Sequence, residues 1–426
     1  MTTTKSRPFA ALRYRDFRLL WTGQLISIAG SRMQTAAILW HVYELTDSPL
    51  ALGGVGLVSI APILLFSLIA GVVADVLDRR KLMLLTQSSA AVLAALLGAL
   101  TLFKLDNLWV IYAITFLSSA AWAFDAPARQ SLIPSMVSRE HLPNAYSLNA
   151  TVFQLGSIFG PAAAGILIAR LGVAAAYGFN ALSFLAVIAA LLLMRPVQRA
   201  ESPEAEKREV SLRAALEGLR FIRARPIILS SMLLDFLATF FSSANALLPI
   251  FARDILRVGP TGYGWLYASA SIGAAATGGL MSLGSNLKRQ GPTLLWAVAV
   301  YGAATVLFGV SRSFGLSFFA LALTGASDTV SMIIRNTIRN LQTPDRLRGR
   351  MTSVNMVFFM GGPQLGELEA GAVAALFGAP LSVIAGGLGC LLALAVIAWR
   401  APHLRRYHGE EPELVDEYSP LTAAAD

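Results

Sequence analysis

The amino-acid sequence predicts an all-α integral membrane protein with twelve transmembrane helices, arranged as two pseudo-symmetric halves of six. Its composition, its series of apolar runs and the placement of its Lys and Arg residues all indicate this class. Of the 426 residues, 55% are hydrophobic and 14% are charged, and the mean hydropathy is +0.62. Soluble domains carry roughly 25% charged residues. One globular core could not bury this much apolar surface, whereas a lipid bilayer can.

Apolar runs of about 20 residues are typical of helices that span a bilayer. Such runs follow one another along the whole chain, and we count twelve. Their approximate positions are 17–43, 50–74, 82–103, 107–127, 145–169, 172–194, 227–251, 262–284, 292–311, 314–338, 351–377 and 379–399. The first run follows a basic arm and is too long for the core of a signal peptide. We therefore interpret it as an uncleaved first span.

The placement of Lys and Arg predicts the orientation of these spans. If the N-terminus is cytoplasmic, 28 of the 34 Lys and Arg residues fall in cytoplasmic segments and 5 in outer segments, while Arg32 lies within a span. Cytoplasmic loops of membrane proteins carry such an excess of basic residues. Both termini are therefore expected in the cytoplasm. The same distribution argues against a nucleic-acid ligand, although the net charge is +9.

The sequence also repeats itself weakly after about 200 residues. The pairs of similar residues are Asp125 with Asp328, Gly160-Pro161 with Gly362-Pro363, and Arg129-Gln130 with Arg335-Asn336. We predict an N-terminal arm (1–16), a first half (17–194), a linker (195–226), a second half (227–400) and a cytoplasmic tail (401–426). Parallel halves of this kind place a substrate path at their interface. The linker predicts either an amphipathic helix on the membrane surface or a solvated linker helix.

A charged motif lies between the second and third runs. Gly71 would let the second helix pack closely on a neighbour, because it has no side chain. Asp75 follows about one turn later, and a carboxylate there could face the positive N-terminal end of another helix. Arg79 begins the basic cluster 79–81. The alternative is topological, with this cluster only holding the loop in the cytoplasm.

A second motif of small residues lies in the fifth run. Its members are Gly156, Gly160, Pro161 and Gly165. Glycine permits close helix contact, and proline within a span permits a bend when neighbours satisfy the freed backbone groups. Ordinary packing of small residues is the alternative.

Ionisable residues inside spans are costly and indicate function by default. The candidates for proton or substrate binding are Arg32, Asp235, Asp328, Gln364 and Glu367. Gln364 and Glu367 are three residues apart and share one helix face, whereas Glu369 points away from it. A carboxyl group in a low-dielectric cavity is suited to proton exchange. The alternative is a static ion pair of Arg32 with Asp328 or Glu367. Aromatic residues such as Trp40 could line an apolar pocket.

Segments 16–24, 71–81, 125–130, 344–350 and 362–367 carry a resemblance to a known family. Over roughly residues 10–400 the chain resembles twelve-helix transporters of the major facilitator superfamily. It is most similar to the branch that contains enterobactin-exporter and macrolide-efflux proteins.

The resemblance implies a secondary active transporter in the cytoplasmic (inner) membrane of a bacterium. Its implied activity is proton-coupled export of amphipathic small molecules, drug-like or siderophore-like, by alternating access. The implied partners are the cargo, protons and membrane lipids, and the implied state is a monomer. The resemblance also implies a conformational latch, in which Asp75 faces the eleventh helix and Arg79 pairs with Asp125. The small-residue motif of the fifth helix is the type associated with exporters.

Several features qualify this resemblance. Val76 and Asp78 depart from the family's loop motif, and the fourth run lacks the basic residue often found in drug–proton antiporters. An importer or a lysophospholipid flippase of the same fold is the closest alternative. A non-transporting receptor or assembly partner is the alternative of another class. Cys390 is the only cysteine, four His residues form no metal-binding pair, and no phosphate-binding loop occurs. We therefore expect no enzyme activity, no metal and no cofactor.

Overall fold

The computed structural model describes residues 9–195, 219–284 and 289–409. Within these ranges the protein consists of helices and connecting turns, without a strand. Its long helices are α1 (Arg15–Thr46), α2 (Pro49–Val76), α3 (Arg79–Leu102), α4 (Leu108–Leu132), α5 (Leu142–Leu171), α6 (Val173–Leu193), α7 (Pro226–Phe241), α8 (Gly259–Ser282), α9 (Gln290–Val310), α10 (Phe314–Gln342), α11 (Asp345–Phe377) and α12 (Ala379–Arg400). The all-α membrane fold is confirmed.

Short polar turns separate the helices, and their residues cap the helix ends. Ser48 accepts a hydrogen bond from the amide of Ala51 and begins α2, and Asn107 does the same for α4. Asp78 accepts hydrogen bonds from the amides of Arg80 and Lys81, at 2.9 and 3.1 Å. The side-chain oxygen thus satisfies amides that have no partner within the helix. This cap explains why an aspartate suits the position at which the chain departs from the family pattern.

Nine of the long helices in the described part of the chain are long and apolar enough to cross a membrane. α1, α8 and α11 fall short of that composition, because they carry more polar and small residues. Each of these three helices nevertheless packs against at least two of the other nine. The count of twelve spans is therefore confirmed for nine helices and stays a prediction for three.

The seventh predicted span is interrupted. A single helix over 227–251 was expected, but α7 ends at Phe241, and short turns follow over Asn245–Leu247 and Leu248–Ile250. A π-helical segment, Phe251–Ile255, then completes this arm of the chain. Consecutive serines follow α7 directly, and such residues favour turns over helix interiors because they hydrogen-bond the local backbone.

Half of the predicted N-terminal arm and most of the predicted linker and tail fall outside the described residues. The last described residues of the linker, 219–224, are helical. There Phe221 and Ile222 are buried against α7 and the first turns of α11, in a cluster with Met232 and Met351. This end of the linker therefore packs on protein. The predicted amphipathic helix upstream of it lies outside the described residues.

The packing of the first six helices is repeated by the last six. α1 packs on α5 and α6, and α3 packs on α4 and α6. In the same way α7 packs on α11 and α12, and α9 packs on α10 and α12. The pairs α2–α4 and α8–α10 complete the repeat. The most extensive helix contacts between the halves are those of α2 with α11 and of α5 with α8.

The structural repeat has a different register from the one expected from the sequence. The Gly-Pro recurrence predicts that equivalent residues of the two halves are 202 positions apart. In the structure, the residues that follow α5 and α11 are Gly172 and Gly378, which both have positive φ and are 206 positions apart. Gly165 and Gly371, which make equivalent contacts described below, are also 206 apart. The expected register is thus wrong by four residues, about one helical turn. A shift of one turn places residues on the same face of the helix, so the sequence pattern looks alike in both registers.

The two ends of the bundle differ in how the halves meet. We call the end that holds the α2–α3 turn, with Arg79 and Arg80, the basic end, and the other the opposite end. One buried apolar cluster crosses both halves at the opposite end, with Tyr43 and Leu52 on one side and Leu247 and Phe251 on the other. At the basic end the buried clusters of the described residues each belong to a single half. Among the described residues, the halves therefore share a buried core at the opposite end and not at the basic end.

Candidate functional site

Glycines form two matching seams between the halves. A methyl group added to Gly165 of α5 would lie 2.5 Å from the carbonyl oxygen of Pro260 and 3.0 Å from the Cα of Gly264 in α8. A methyl group added to Gly371 of α11 would lie 2.6 Å from the carbonyl oxygen of Pro49 and 2.9 Å from the Cα of Gly53 in α2. The backbones therefore touch directly, which only glycine allows.

The small-residue motif of the fifth helix divides its contacts between two neighbours. Gly156 faces Ile28 of α1, where an added methyl group would lie 2.8 Å from the Ile28 side chain. Gly160 faces Ala29 and the Cβ of Arg32, at 2.6 and 2.7 Å for an added methyl group. Pro161 and Gly165 reach the other half, where both meet Gly264 of α8. The predicted close helix contact is thus present, and all four motif residues are buried.

Polar contacts reinforce the closure at the opposite end. Asp47, which ends α1 in a left-handed conformation, forms an ion pair with Arg253 at 2.7 Å. The Arg253 guanidinium also lies over the ring of Tyr43, 5.1 Å from its centroid, and the Tyr43 hydroxyl donates to Asp254. Arg253 and Asp254 belong to the π-helical segment of the second half, a type of distortion frequent at functional sites.

Two further hydrogen bonds cross between the halves deeper in the bundle. Tyr263 of α8 donates to the carbonyl oxygen of Ala36 in α1 at 2.8 Å. Gln154 of α5 donates to the carbonyl oxygen of Ser271 in α8 at 2.6 Å. Trp40 packs on the Tyr263 ring at 5.3 Å between centroids. An aromatic layer therefore closes the space between the halves on the side of the opposite end.

Glu367 lies in the seam between α2 and α11. Its Oε2 would be 2.8 Å from a methyl group on Gly56, and the carbonyl oxygen of Gln364 would lie equally close. The two residues therefore share the face of α11 that meets α2, as their spacing predicted. Glu367 forms no hydrogen bond or ion pair with any other residue in the described part of the chain. Its position is about 15 Å from the end of α11, near mid-depth of a bilayer.

Arg32 lies in the middle of α1 and is exposed. No described residue forms a hydrogen bond or ion pair with it. Gly160 of α5 meets the Cβ of Arg32, and the neighbouring Pro161 meets Gly264 of α8, so Arg32 lies at the depth where α5 contacts the second half. Tyr263 of α8 donates to the carbonyl oxygen of Ala36, one turn beyond Arg32 on α1. The alternative of a static ion pair of Arg32 with Asp328 or Glu367 is not found among the described residues.

The structure brings two predicted acids together on a cation that sequence reasoning did not single out for binding. Arg335 of α10 forms ion pairs with Asp235 of α7 and, at 3.3 Å, with Asp328 of α10. The side chains of Arg335 and Asp235 are buried, whereas that of Asp328 is 43% exposed. Asp328, Tyr301 and Asp235 line one small cavity in the second half. The buried Asp235 is thus neutralised by Arg335, and Asp328 is the acid of this group that solvent can reach.

The predicted pair of Arg79 with Asp125 is not formed in this structure. Asp125 is buried and accepts hydrogen bonds from Thr86 and Gln87 of α3, at 3.0 and 2.8 Å, with Arg129 at 3.7 Å. Arg79 instead donates to the carbonyl oxygen of Ser131 at 2.9 Å. Arg79 does not reach Asp125 because it begins α3, two turns before Thr86. At that position it meets the end of α4, whose last carbonyl groups lack partners within the helix.

Gly71 and Asp75 are the other two residues of the predicted latch. A methyl group on Gly71 would meet nothing within 4 Å, so the close packing expected there is not found in the described structure. Asp75 lies in the last turn of α2, and the contacts of its side chain lie outside what the structure describes. Its role in a latch stays a prediction.

Sequence reasoning missed several residues that the structure brings together. Tyr263 and Tyr267 read as ordinary residues of an apolar run. A buried His41 pairs with Asp106 at 2.7 Å and lies 3.1 Å from the Tyr177 hydroxyl. A histidine inside an apolar run is a signal that could have marked this group. No set of three metal-ligating side chains converges among the described residues.

The sequence profile of the family described as transmembrane secretion effector matches residues 6–419. The chain belongs to this family of major facilitator transporters. It is a multi-pass membrane transport protein and not an enzyme.

Relatives and solved structures agree with this membership. The transporter is 27% identical over 400 residues to enterobactin exporter EntS of Escherichia coli O1:K1, covering 93% of this chain and 94% of the relative. EntS of Shigella boydii serotype 18 has the same identity and coverage. A bacterial homologue of the human lysosomal transporter Spinster, in an inward-facing and unoccupied conformation, superposes with TM-score 0.73 at 15% identity, covering 93% of this chain and 98% of that one. The nucleoside transporter NupG superposes with TM-score 0.70 at 13% identity, covering 92% and 100%.

Proposed function

We propose that this transporter exports amphipathic small molecules, siderophore-like or drug-like, across a bacterial inner membrane in exchange for protons. Similarity to enterobactin exporters over nearly the whole of both chains supports export and an organic cargo. The prediction that both termini are cytoplasmic places the basic end in the cytoplasm. In this orientation the shared core closes the path on the outer side.

The observation that carries the proton-coupling part is the unpaired Glu367 in the seam between α2 and α11. A half-buried carboxyl group with no cation within ion-pair distance is suited to taking up a proton. The ionisable groups of other helices that border the same space are Arg32 of α1 and Tyr263 and Tyr267 of α8. On α2, Glu367 meets Gly56, which has no charge. Protonation there would let the seam stay closed, and ionisation would favour its opening to water.

Alternating access would then be a rocking of the two halves across the glycine seams. Opening on the outer side requires the Asp47–Arg253 ion pair and the contacts of Tyr43 and Tyr263 to separate. Asp75 remains our proposed latch residue on the cytoplasmic side, acting when the basic end closes. Asp328 is the second candidate for proton binding, because it is the accessible acid beside Arg335.

Transport into inside-out membrane vesicles tests the proposal. Their cytoplasmic face looks outward, so an exporter that exchanges cargo for protons accumulates cargo when the lumen is acidic. We expect enterobactin or an amphipathic drug from a panel to accumulate under this gradient, and nigericin to abolish the accumulation. Accumulation only when the gradient is reversed would indicate an importer. If a fluorescent lysophospholipid moves across the membrane at the same rate with and without the gradient, the protein would be a flippase.

A further inference from the structure

The space between the halves contains two charges of opposite sign that no described residue neutralises. Arg32 is exposed at the middle of α1, and Glu367 is half-buried in α11. Neither has a hydrogen bond or an ion pair within the described residues. An ionisable side chain inside a membrane protein is costly unless it has a partner or a function. Two such side chains in one space indicate that a guest molecule supplies the missing partners.

Arg32 and Glu367 lie on different helices and form no ion pair with each other. They lie at a similar depth, because Arg32 meets Gly160, and the next residue, Pro161, is the counterpart of Glu367 in the structural repeat. Tyr263, one turn before Tyr267 on α8, donates to the carbonyl oxygen of Ala36, one turn beyond Arg32 on α1, so this part of α8 lies beside Arg32. Gly56 lies against the carboxylate of Glu367 on the α2 side. The gap between the two groups is therefore bordered by Tyr267.

Aromatic rings form the wall of this gap nearest the opposite end. Tyr267 packs edge to face on Tyr263, with 6.0 Å between centroids, and Tyr263 packs on Trp40 at 5.3 Å. Flat aromatic surfaces of this kind bind the rings of a ligand and leave its polar groups free to reach charged residues. The wall carries no charge of its own near neutral pH.

We propose that Arg32 and Glu367, on either side of Tyr267, form a bipolar cargo site for an aromatic molecule that carries both an acidic and a basic group. Arg32 binds the acidic group, because a guanidinium matches a carboxylate with paired hydrogen bonds. Glu367 binds the basic group in its ionised form. The rings stack on Tyr263 and Tyr267. This inference rests on the proposed transport function and assigns a substrate class to it.

The arrangement links the cargo to the proposed proton exchange. The basic group of the cargo and a proton compete for the same carboxylate, so Glu367 cannot hold both. Arg32 takes no part in that competition and orients the cargo from the other side. Loss of Arg32 should therefore weaken recognition of the acid while leaving recognition of the basic group intact.

Four derivatives of one aromatic amino acid test the site. The probes are 3-(1-naphthyl)alanine with both charges, its N-acetyl derivative with the acid only, its amide with the amine only, and the N-acetyl amide with neither. Binding is measured on the purified full chain in lipid nanodiscs, without any gradient. We expect each charge to tighten binding about tenfold, the two contributions adding in the zwitterion.

Substitutions assign each contribution to a residue. Arg32→Gln should remove the advantage of the acid and keep that of the amine, and Glu367→Gln should do the reverse. Arg32→Lys should retain part of the acid preference, which separates lost charge from lost folding. Arg170→Gln and Glu369→Gln remove equal charges elsewhere on α5 and α11 and should change neither preference.

Three results would overturn the proposal: no binding of any probe to the wild-type chain, equal binding of all four, or an acid preference that survives Arg32→Gln. A charge preference that follows Arg32 and Glu367 in a protein without proton-driven export would instead refute the proposed function and leave the bipolar site standing.

Discussion

Glu367 occupies in α11 the position that Pro161 occupies in α5. The two residues are 206 positions apart, the register in which both helices end. The carbonyl oxygen of Pro161 would lie 2.5 Å from a methyl group on Gly264, and that of Glu367 would lie 2.8 Å from one on Gly53. One seam between the halves thus holds a rigid proline where its counterpart holds an ionisable side chain. This asymmetry is the reason why we propose that protons act on the α2–α11 seam.

Glu367→Gln should abolish transport driven by a pH gradient while leaving the protein folded. Glutamine keeps the size of the side chain but cannot ionise. Since no described residue pairs with Glu367, the substitution strands no cation, and the melting temperature should change by only a few degrees, equivalent to about 1 kcal/mol or less. Flux in vesicles and thermal unfolding in detergent are the two measurements.

The control for this variant is Glu369→Gln, which removes a carboxyl group from the other face of the same helix. It should retain full proton-driven flux. A stable Glu367→Gln protein with undiminished flux would remove Glu367 from the coupling mechanism and leave Asp328 as the candidate.

Gly165→Ala should destabilise the closed seam, and Gly71→Ala should not. The first methyl group would meet the backbone of α8, which cannot move aside cheaply, so a cost of about 1–3 kcal/mol is expected. The second would meet open space on a helix, where alanine is favoured over glycine by about 1 kcal/mol. Thermal unfolding and transport of both variants give the comparison. Equal melting temperatures would show that direct backbone contact at Gly165 is unimportant.

Arg335→Gln should be strongly destabilising, because it leaves Asp235 buried without its cation. Breaking a buried ion pair by removing one partner costs about 3–5 kcal/mol. Asp328→Asn should cost much less, since that side chain is 43% exposed. The double variant Asp235→Asn/Arg335→Gln should recover most of the loss in thermal unfolding. Additive losses in the double variant would contradict the pairing.

Cysteine labelling tests the orientation. Ala205→Cys and Glu410→Cys should react with a membrane-impermeant maleimide only from the cytoplasmic side, because the excess of basic residues places both positions there. Cys390, the only native cysteine, is buried and gives a low background. Ser313→Cys, in an exposed turn at the opposite end, should react only from outside. Labelling of position 205 or 410 from outside would refute the proposed topology.

The fold class followed from the sequence because it depends on composition and charge alone. Long apolar runs must lie in lipid, and helices are the form in which such runs satisfy their backbone groups. The contact of the small-residue motif with neighbouring helices was also predicted, because glycines spaced along one helix let the backbone of another helix approach closely. Gln364 and Glu367 share a face because their spacing on a helix requires it.

Partner choice between helices was decided only by the tertiary structure. Asp125 was expected to pair with Arg79, but the distance along α3 brings Thr86 and Gln87 to it instead. Asp235 and Asp328 lie far apart in sequence, and the packing of α7 beside α10 brings both to Arg335. The register of the repeat shifted by a turn for the same reason. Periodicity determines which face of a helix a residue occupies, but the depth at which that face meets another helix depends on where the backbones can approach, and here glycines set that depth.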